Sequence, residues 1–257
     1  MKTNYHTHTS RCKHAVGTDE EYVLAAIEAK FDILGFSDHT PWEYDSNFKS
    51  RIRMLPNQID EYINSIKLLR EKYRGLIDLK IGLECEYFPD YLSWLKKLLN
   101  SKEIDYIILG NHYHRTDENG GYNGNKTNDI RKLRKYVDDC IKAIDTGLYS
   151  YIAHPDLIYF DSNSKYYKEE ITRLCQYASK HQMILEYNLN GILTKRNYPS
   201  NVFWEIAAKE GCLVIIGYDA HFPDTLKESA VHKKAVEYLN SLGMEIVEVI
   251  PNRKRGF

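Results

Sequence analysis

Apolar, strand-like runs recur along this chain, and nearly every one ends in a side chain able to bind a metal ion. His6 and His8 follow Asn4-Tyr5, and His39 ends the run that begins at Ile33. Glu84 closes Leu79 to Leu83, His112 closes Ile104 to Asn111, and His154 closes Tyr151 to Ala153. Asp219 and His221 end Leu213 to Tyr218, and His14 lies in the loop after the first run. In a barrel of repeated β-α units the carboxyl ends of all strands open on one face, where active sites are built. In such a fold residues more than two hundred positions apart can meet in one metal pocket.

Helical patterns alternate with the runs. Residues 18 to 29 open with Thr18 and carry Glu21 three positions on, a capping-box pair. Ile59, Tyr62, Ile63, Ile66, Leu69 and Tyr73 keep helical spacing after Pro56, and Ile130, Leu133, Val137, Ile141 and Ile144 form a second stripe. Further helices are predicted near 90–99, 165–180, 200–210 and 225–241. The runs number seven, with a short eighth strand expected around Ile246 to Val249. This β-α order predicts a parallel sheet, closed or nearly closed. A doubly wound open sheet shares the order, but it gathers ligands at one switch point and not behind every strand. The two longest irregular stretches, Thr40 to Leu55 and His114 to Thr127, follow metal-type residues and are expected to line the site.

The 257 residues carry 35 basic and 36 acidic side chains, a balance with no electrostatic drive towards nucleic acid or anionic membrane. The short basic run Arg253-Lys-Arg255 does not alter it. Five scattered cysteines, odd in number and without a C-x-x-C pair, do not make a disulfide framework. No apolar h-region opens the chain and no segment has 18 uninterrupted apolar residues. A soluble, cytoplasmic protein is expected.

Strand side chains alternate between faces, so His6 and His8 point the same way and can grip one ion. An isolated His-x-His is as readily a solvated surface pair; the other strand-end ligands argue against that here. Mixed imidazole and carboxylate donors suit zinc, manganese or iron(II) better than magnesium or calcium. Nine donors exceed the need of one ion, and a carboxylate such as Glu84 can bridge two. Sites of this kind lower the pKa of bound water and stabilise entering and leaving oxygens together. Phosphoester hydrolysis is the matching reaction class.

The stretches His6-Thr-His-Thr-Ser-Arg-Cys-Lys-His14-Ala, Gly35-Phe-Ser-Asp-His-Thr-Pro41, Gly82-Leu-Glu-Cys-Glu-Tyr-Phe-Pro89, His154-Pro-Asp-Leu157 and Gly217-Tyr-Asp-Ala-His-Phe-Pro223 occur in one order from 6 to 223. In these the chain resembles the polymerase and histidinol phosphatase superfamily, within it the histidinol-phosphate phosphatase branch. The resemblance implies an α/β fold, a distorted (β/α)7 TIM-like barrel forming a single domain over residues 1–257, with a trinuclear metal centre. It implies three divalent transition-metal ions, zinc, manganese or iron. One would be held by His6, His8, Glu84 and Asp219; a second would share Glu84 and add His112 and His154; the third would take His14, His39 and His221. Departures from the pattern fall beside the ligands. Gly110-Asn-His-Tyr-His114 stands where relatives carry Ser-Val-His, Tyr218 replaces a small residue, and Ile158-Tyr-Phe160 follows His-Pro-Asp-Leu without the usual basic residue. They bear on the substrate more than on the reaction.

Among other residues, Glu186 and Asn188 end the sixth run and are candidates for supporting a ligating histidine or binding substrate. Arg196 is a candidate phosphate fork, with Lys195, Arg11 and Arg115 behind it. His221 and Asp38 are candidates for catalytic proton transfer. The expected activity is metal-dependent hydrolysis of a small phosphomonoester, L-histidinol phosphate in histidine biosynthesis. A phosphatase for another small phosphomonoester or phosphotyrosine is the alternative. A 3′ exonuclease fits the balanced charge less well, and a regulatory module without catalysis would be expected to lack ligands.

Overall fold

The structure, a computed structural model, describes residues 1–251, so the basic run 253–255 lies outside the described residues. Seven parallel strands form one sheet in sequence order. They are β1 (Thr3–Asn4), β2 (Ile33–His39), β3 (Asp78–Cys85), β4 (Tyr106–Leu109), β5 (Tyr151–Ile152), β6 (Ile184–Asn188) and β7 (Val214–Gly217). The seam between β7 and β1 is closed by a single parallel bridge, Thr7 to Ala220, with His8 N donating to Ala220 O and Ala220 N to His6 O. The result is the expected distorted, nearly closed seven-stranded barrel. The expected eighth strand reduces to one parallel bridge, Val214 to Ile246.

The helices are α1 (Asp19–Glu28), α2 (Ile59–Lys72), α3 (Leu92–Ser101), α4 (Ile130–Asp145), α5 (Lys165–Lys180), α6 (Leu189–Leu193), α7 (Asn201–Lys209) and α8 (Ser229–Ser241). The Thr18–Glu21 capping box closes both ways at the start of α1, an arrangement worth about 1 kcal/mol. Pro56 sits in a separate 3-10 turn, one turn before α2 begins. The short α6 buries Leu189 but leaves Ile192 and Leu193 exposed; Asn188 starts it by accepting from Gly191 N. Among the described residues no helix is long and apolar enough to cross a membrane.

Strands covered on both faces read as continuous apolar runs, and the structure sorts them by alternation. Ile33, Tyr106, Ile108, Tyr151, Ile184 and Ile215 fill the barrel. Their neighbours Leu34, Ile107, Leu109, Leu185 and Val214 face the helices in the larger core. Even steps from the inward set lead up the strands to His39, Glu186 and Asp219, so the pleat that fills the barrel also aims the site residues. Tyr106 spans the barrel, its hydroxyl donating to the carbonyls of Tyr5 at 2.6 Å and Phe36 at 3.0 Å. Its ring lies against Gly82, where a Cβ would come within 2.3 Å of Tyr106 Cζ. Gly82→Ala should therefore destabilise the fold by roughly 1–3 kcal/mol, the range for overpacking a filled core. Urea unfolding reads this as a lower midpoint at unchanged slope; an unchanged midpoint would contradict the packing described.

Candidate metal centre

Glu84 stands at the centre of the barrel mouth, 1% exposed, its two oxygens facing different histidines. Oε1 lies 2.9 Å from His154 Nε2 and 3.1 Å from His112 Nε2. Oε2 lies 3.0 Å from His39 Nδ1, 3.5 Å from His8 Nε2 and 3.6 Å from His6 Nε2. Gly110 makes room for this carboxylate, since a Cβ there would meet Glu84 Oε1 at 2.3 Å.

Asp219 supplies a second acidic pole. Its Oδ1 is 3.3 Å from His8 Nε2 and 3.5 Å from His6 Nε2, while those two nitrogens are 3.2 Å apart. His221 Nδ1 is 3.4 Å from the same oxygen and 3.0 Å from the Asp219 carbonyl. His14, His39 and His221 bring ligand atoms within 4.8 Å of one another on the outer side, as do His6, Glu84 and His154 on the inner side. All nine side chains singled out in the sequence thus converge, although their strands are far apart in the chain.

The donor set fits metal ions. An ion binding nitrogen and oxygen tetrahedrally at about 2.0–2.2 Å separates its donors by roughly 3.3–3.6 Å. Five separations among His6 Nε2, His8 Nε2, Asp219 Oδ1 and Glu84 Oε2 run from 3.2 to 3.6 Å, too long for most hydrogen bonds and right for the edges of such a polyhedron. Glu84 Oε2 and His39 Nδ1 face each other without the alignment of a hydrogen bond, and neither has another partner. Buried polar atoms are rarely left unpaired. Among the described residues, no lysine or arginine forms an ion pair with Glu84, Asp219, Glu186 or Asp38. A cation between these donors would satisfy both the charge and the open lone pairs.

The surroundings hold the imidazoles in place. Glu186, fully buried, accepts from His6 Nδ1 at 2.8 Å and from the backbone N of His154 at 3.0 Å. Glu86 accepts from His112 Nδ1 at 3.1 Å, and the Cys12 carbonyl accepts from His14 Nδ1 at 2.7 Å. Occupying Nδ1 in this way sets the tautomer and presents Nε2 as the ligand atom. Asn188 bonds Glu186 at 2.9 Å and Asp219 at 3.2 Å. Glu186 and Asn188 therefore stand behind the candidate ligands and do not line the cleft; of their two expected roles, ligand support is the one the geometry provides. Asp38 likewise lies behind His8, 3.6 Å from Nδ1, and accepts from Thr9 and from His39 N. Neither oxygen opens to the cleft, so Asp38 has no path to a leaving group. His154 and Asp219 adopt positive φ of 31° and 47°, a strain of about 1–3 kcal/mol each that such sites tolerate where the surroundings enforce it.

A cleft of about 420 Å³ opens over the cluster. Its walls include Ile52, Tyr113, Tyr122, Leu157, Tyr198 and Phe222, and among the described residues Arg196 is the one charged lining residue outside the candidate ligands. Arg196 is exposed at the rim, with Nη1 3.5 Å from Tyr122 Oη. Lys195 and Arg115 are not among the lining residues. Arg11 is turned away, paired with Asp19 at 2.8 Å and Glu61 at 2.6 Å. The aromatic walls were not singled out in the sequence as site residues: Tyr122 lies in the irregular stretch after His114, Tyr113 and Phe222 adjoin candidate ligands in chain order, and Tyr198 carries no such signal.

A seven-stranded parallel barrel with acidic and imidazole side chains massed at its carboxyl-end mouth defines the class of barrel hydrolases built for bound metal. Residues 4–190 match the PHP domain family, and the chain belongs to it. A relative from Deinococcus radiodurans named "Probable histidinol-phosphatase" is 29% identical over 231 residues, covering 85% of each chain. One of the same name from Schizosaccharomyces pombe is 24% identical over 272 residues, covering 95% of this chain and 88% of the relative. The crystal structure of Lactococcus lactis histidinol phosphate phosphatase (HisK), complexed with zinc, L-histidinol and phosphate, superposes with a TM-score of 0.73 at 18% identity. It covers 97% of this chain and 98% of that one. The structural likeness establishes the shared fold.

Without metal, the cluster holds protons in its place. Burial alone would lower His6, but Glu186, Asp219 and Glu84 raise it to about 10. Burial opposes and Glu84 and Glu86 raise His112 to about 9. Against its burial, Asp219 and Asp38 hold His8 well above its ordinary value as well. A ligating imidazole must be neutral, so metal binding at pH 8 should release protons from His6, His8 and His112. Apparent affinity should fall as pH drops below about 10, first through His6 and then through His112, because protons then compete harder. Zinc titration calorimetry in two buffers of different ionisation enthalpy measures the release; identical heats in both would contradict the described electrostatics.

Proposed function

We propose that this protein is a metal-dependent phosphatase that hydrolyses L-histidinol phosphate to L-histidinol and phosphate, a step of histidine biosynthesis. The observation that carries this reading is the pair of Glu84 oxygens facing two histidine groups, a carboxylate set to join neighbouring cations. We assign His6, His8, Glu84 and Asp219 to one ion, Glu84, His112 and His154 to a second, and His14, His39 and His221 to a third. Zinc, manganese and iron(II) all suit this donor set. When bound, the ions supply Lewis-acid charge for the phosphoryl oxygens and acidify water.

The chain's own residues do the rest. Glu186, Asp38 and Glu86 fix the imidazoles, so the donors need little rearrangement when phosphate arrives. Arg196 offers a planar donor fork at the rim, suited to orient a phosphoryl group for in-line displacement. Tyr113, Tyr122 and Phe222 wall the cleft and would pack against a planar ring carried by the leaving group, such as the imidazole of histidinol. Burial with His8 and His14 nearby lowers His221 to about 4, so it is neutral near pH 7. That suits His221 to ligate and leaves it without the imidazolium proton that a general acid would give the departing alkoxide. The chain acts on a small molecule, and five free, buried cysteines accord with a reducing cytoplasm.

One observation favours a second reading, a phosphatase for aryl phosphates. Beyond Glu84 and Asp219 the described cleft lining holds no carboxylate to pair with the ammonium of histidinol phosphate. Histidinol phosphate and p-nitrophenyl phosphate compared on metal-loaded protein decide between the two. We expect a higher kcat/KM for histidinol phosphate, since specific contacts beyond the phosphoryl group add binding energy in the transition state. Chelation should abolish both activities, and Arg196→Ala should lower both by roughly ten- to a thousandfold. A preference for the aryl ester would move the assignment to the second reading, and full turnover after verified metal removal would end both.

A further inference from the structure

Arg53 is the one arginine buried inside this end of the barrel among the described residues, 1% exposed, and its guanidinium joins three parts of the chain. Nη2 donates to Glu86 Oε1 at 2.8 Å and Nη1 to Glu86 Oε2 at 3.1 Å, a two-pronged pair. Nη1 also donates to the carbonyl of Thr40 at 2.9 Å, and Nε donates to Asp117 Oδ2 at 3.2 Å. Glu86 is completed by Trp42 Nε1, 2.7 Å from Oε2, and its Oε1 accepts from His112 Nδ1 at 3.1 Å.

These bonds connect the site to its rim. Arg53 and Ile52 belong to the irregular stretch 40–55, while Asp117 belongs to the stretch carrying Tyr113 and Tyr122, which pair in an antiparallel bridge. Tyr44 donates to Asp117 and Ser46 to Glu118 at 2.7 Å, so the two stretches close on each other around the guanidinium. Ile52, Tyr113 and Tyr122 all line the cleft. On the reading of the cluster as a metal centre, we propose that Arg53 is a positioning residue. Through Glu86 it holds His112 with Nε2 towards the ion, and through Asp117 it locks the two stretches that shape the leaving-group side of the cleft. Lysine would not replace it, because one ammonium cannot span both oxygens of Glu86 and Asp117 in the same plane.

The test uses the full chain as parent, Arg53→Ala, Arg53→Lys and Glu86→Gln. Each is measured for fold by circular dichroism, for zinc affinity by competition with a chromophoric chelator, and for kcat and KM on p-nitrophenyl phosphate. Changes beyond the direct ligands typically weaken metal affinity or activity 10–100-fold, and that loss is expected for Arg53→Ala, with KM raised as well. A groove of about 650 Å³ lined by Trp42, Tyr44, Phe48 and Arg53 itself gives a route for a small cation to the place of the lost guanidinium. Millimolar guanidinium, but not urea, should restore part of both properties to Arg53→Ala, which a role in bulk packing would not allow. Arg53→Lys should recover only a fraction.

A folded Arg53→Ala protein with parental zinc affinity and KM overturns the proposal, and so does a loss that guanidinium leaves unchanged. Should the alanine variant fail to fold, Arg53→Lys and Glu86→Gln decide: a tenfold or greater loss of zinc affinity supports the role, and parental behaviour of both overturns it. A parent chain that binds no zinc at all would instead remove the metal-centre reading itself.

Discussion

One buried carboxylate organises the mouth of this barrel. Glu84 is almost without solvent, and burial alone would make it hard to ionise, yet His112, His6 and His39 hold it well below the ordinary carboxylate range. The stabilisation comes from side chains on other strands, so the charge can persist only if the barrel brings those strand ends together. The dependence also runs the other way. A cluster of imidazoles and carboxylates in a dry mouth is costly unless charges and lone pairs are matched, and Glu84 matches both halves. Gly110 opposite it and Gly217 against Glu186 are sites where a side chain would collide with a carboxylate.

Donor separations near those of a coordination polyhedron suit cations better than direct hydrogen bonds. The left-handed backbone at His154 and Asp219 is held by surrounding bonds such as Glu186 to His154 N, so geometry is set before a ligand arrives. The aromatic cleft then limits what can approach, and Arg196, a charged residue at its rim, is placed for an anion.

Much of this was legible in the sequence because barrel topology turns a one-dimensional pattern into a position. A histidine or acid at the end of an apolar run is at the mouth, whichever strand it follows; His39, Glu84 and Asp219 obey this directly. The Thr18–Glu21 pair and the stripe of α4 carry local signals that packing did not override. Depth was not legible. Alternation put Glu186 and Asn188 on the inward face, but it could not show that both lie beneath the ligands and not beside a substrate. Arg53 sits in an irregular stretch where a charged residue is ordinarily solvated, and only the three-dimensional closure of two such stretches buries it. The short α6 depends on neighbours more than on propensity and left little trace in the chain, while the strand-like signal around Ile246 to Val249 overstated a segment that pairs through one bridge.

The central claim is that Glu84 joins two cations, and metal stoichiometry tests it most directly. Parent and Glu84→Gln chains, reconstituted with zinc and desalted, would be compared by elemental analysis with folding checked in parallel. The account predicts that glutamine, equal in size but uncharged, keeps the fold and loses bound metal, with turnover falling by at least the 10–100-fold typical of changes outside the direct ligands. A folded Glu84→Gln protein with its full complement of metal and unchanged turnover would contradict it.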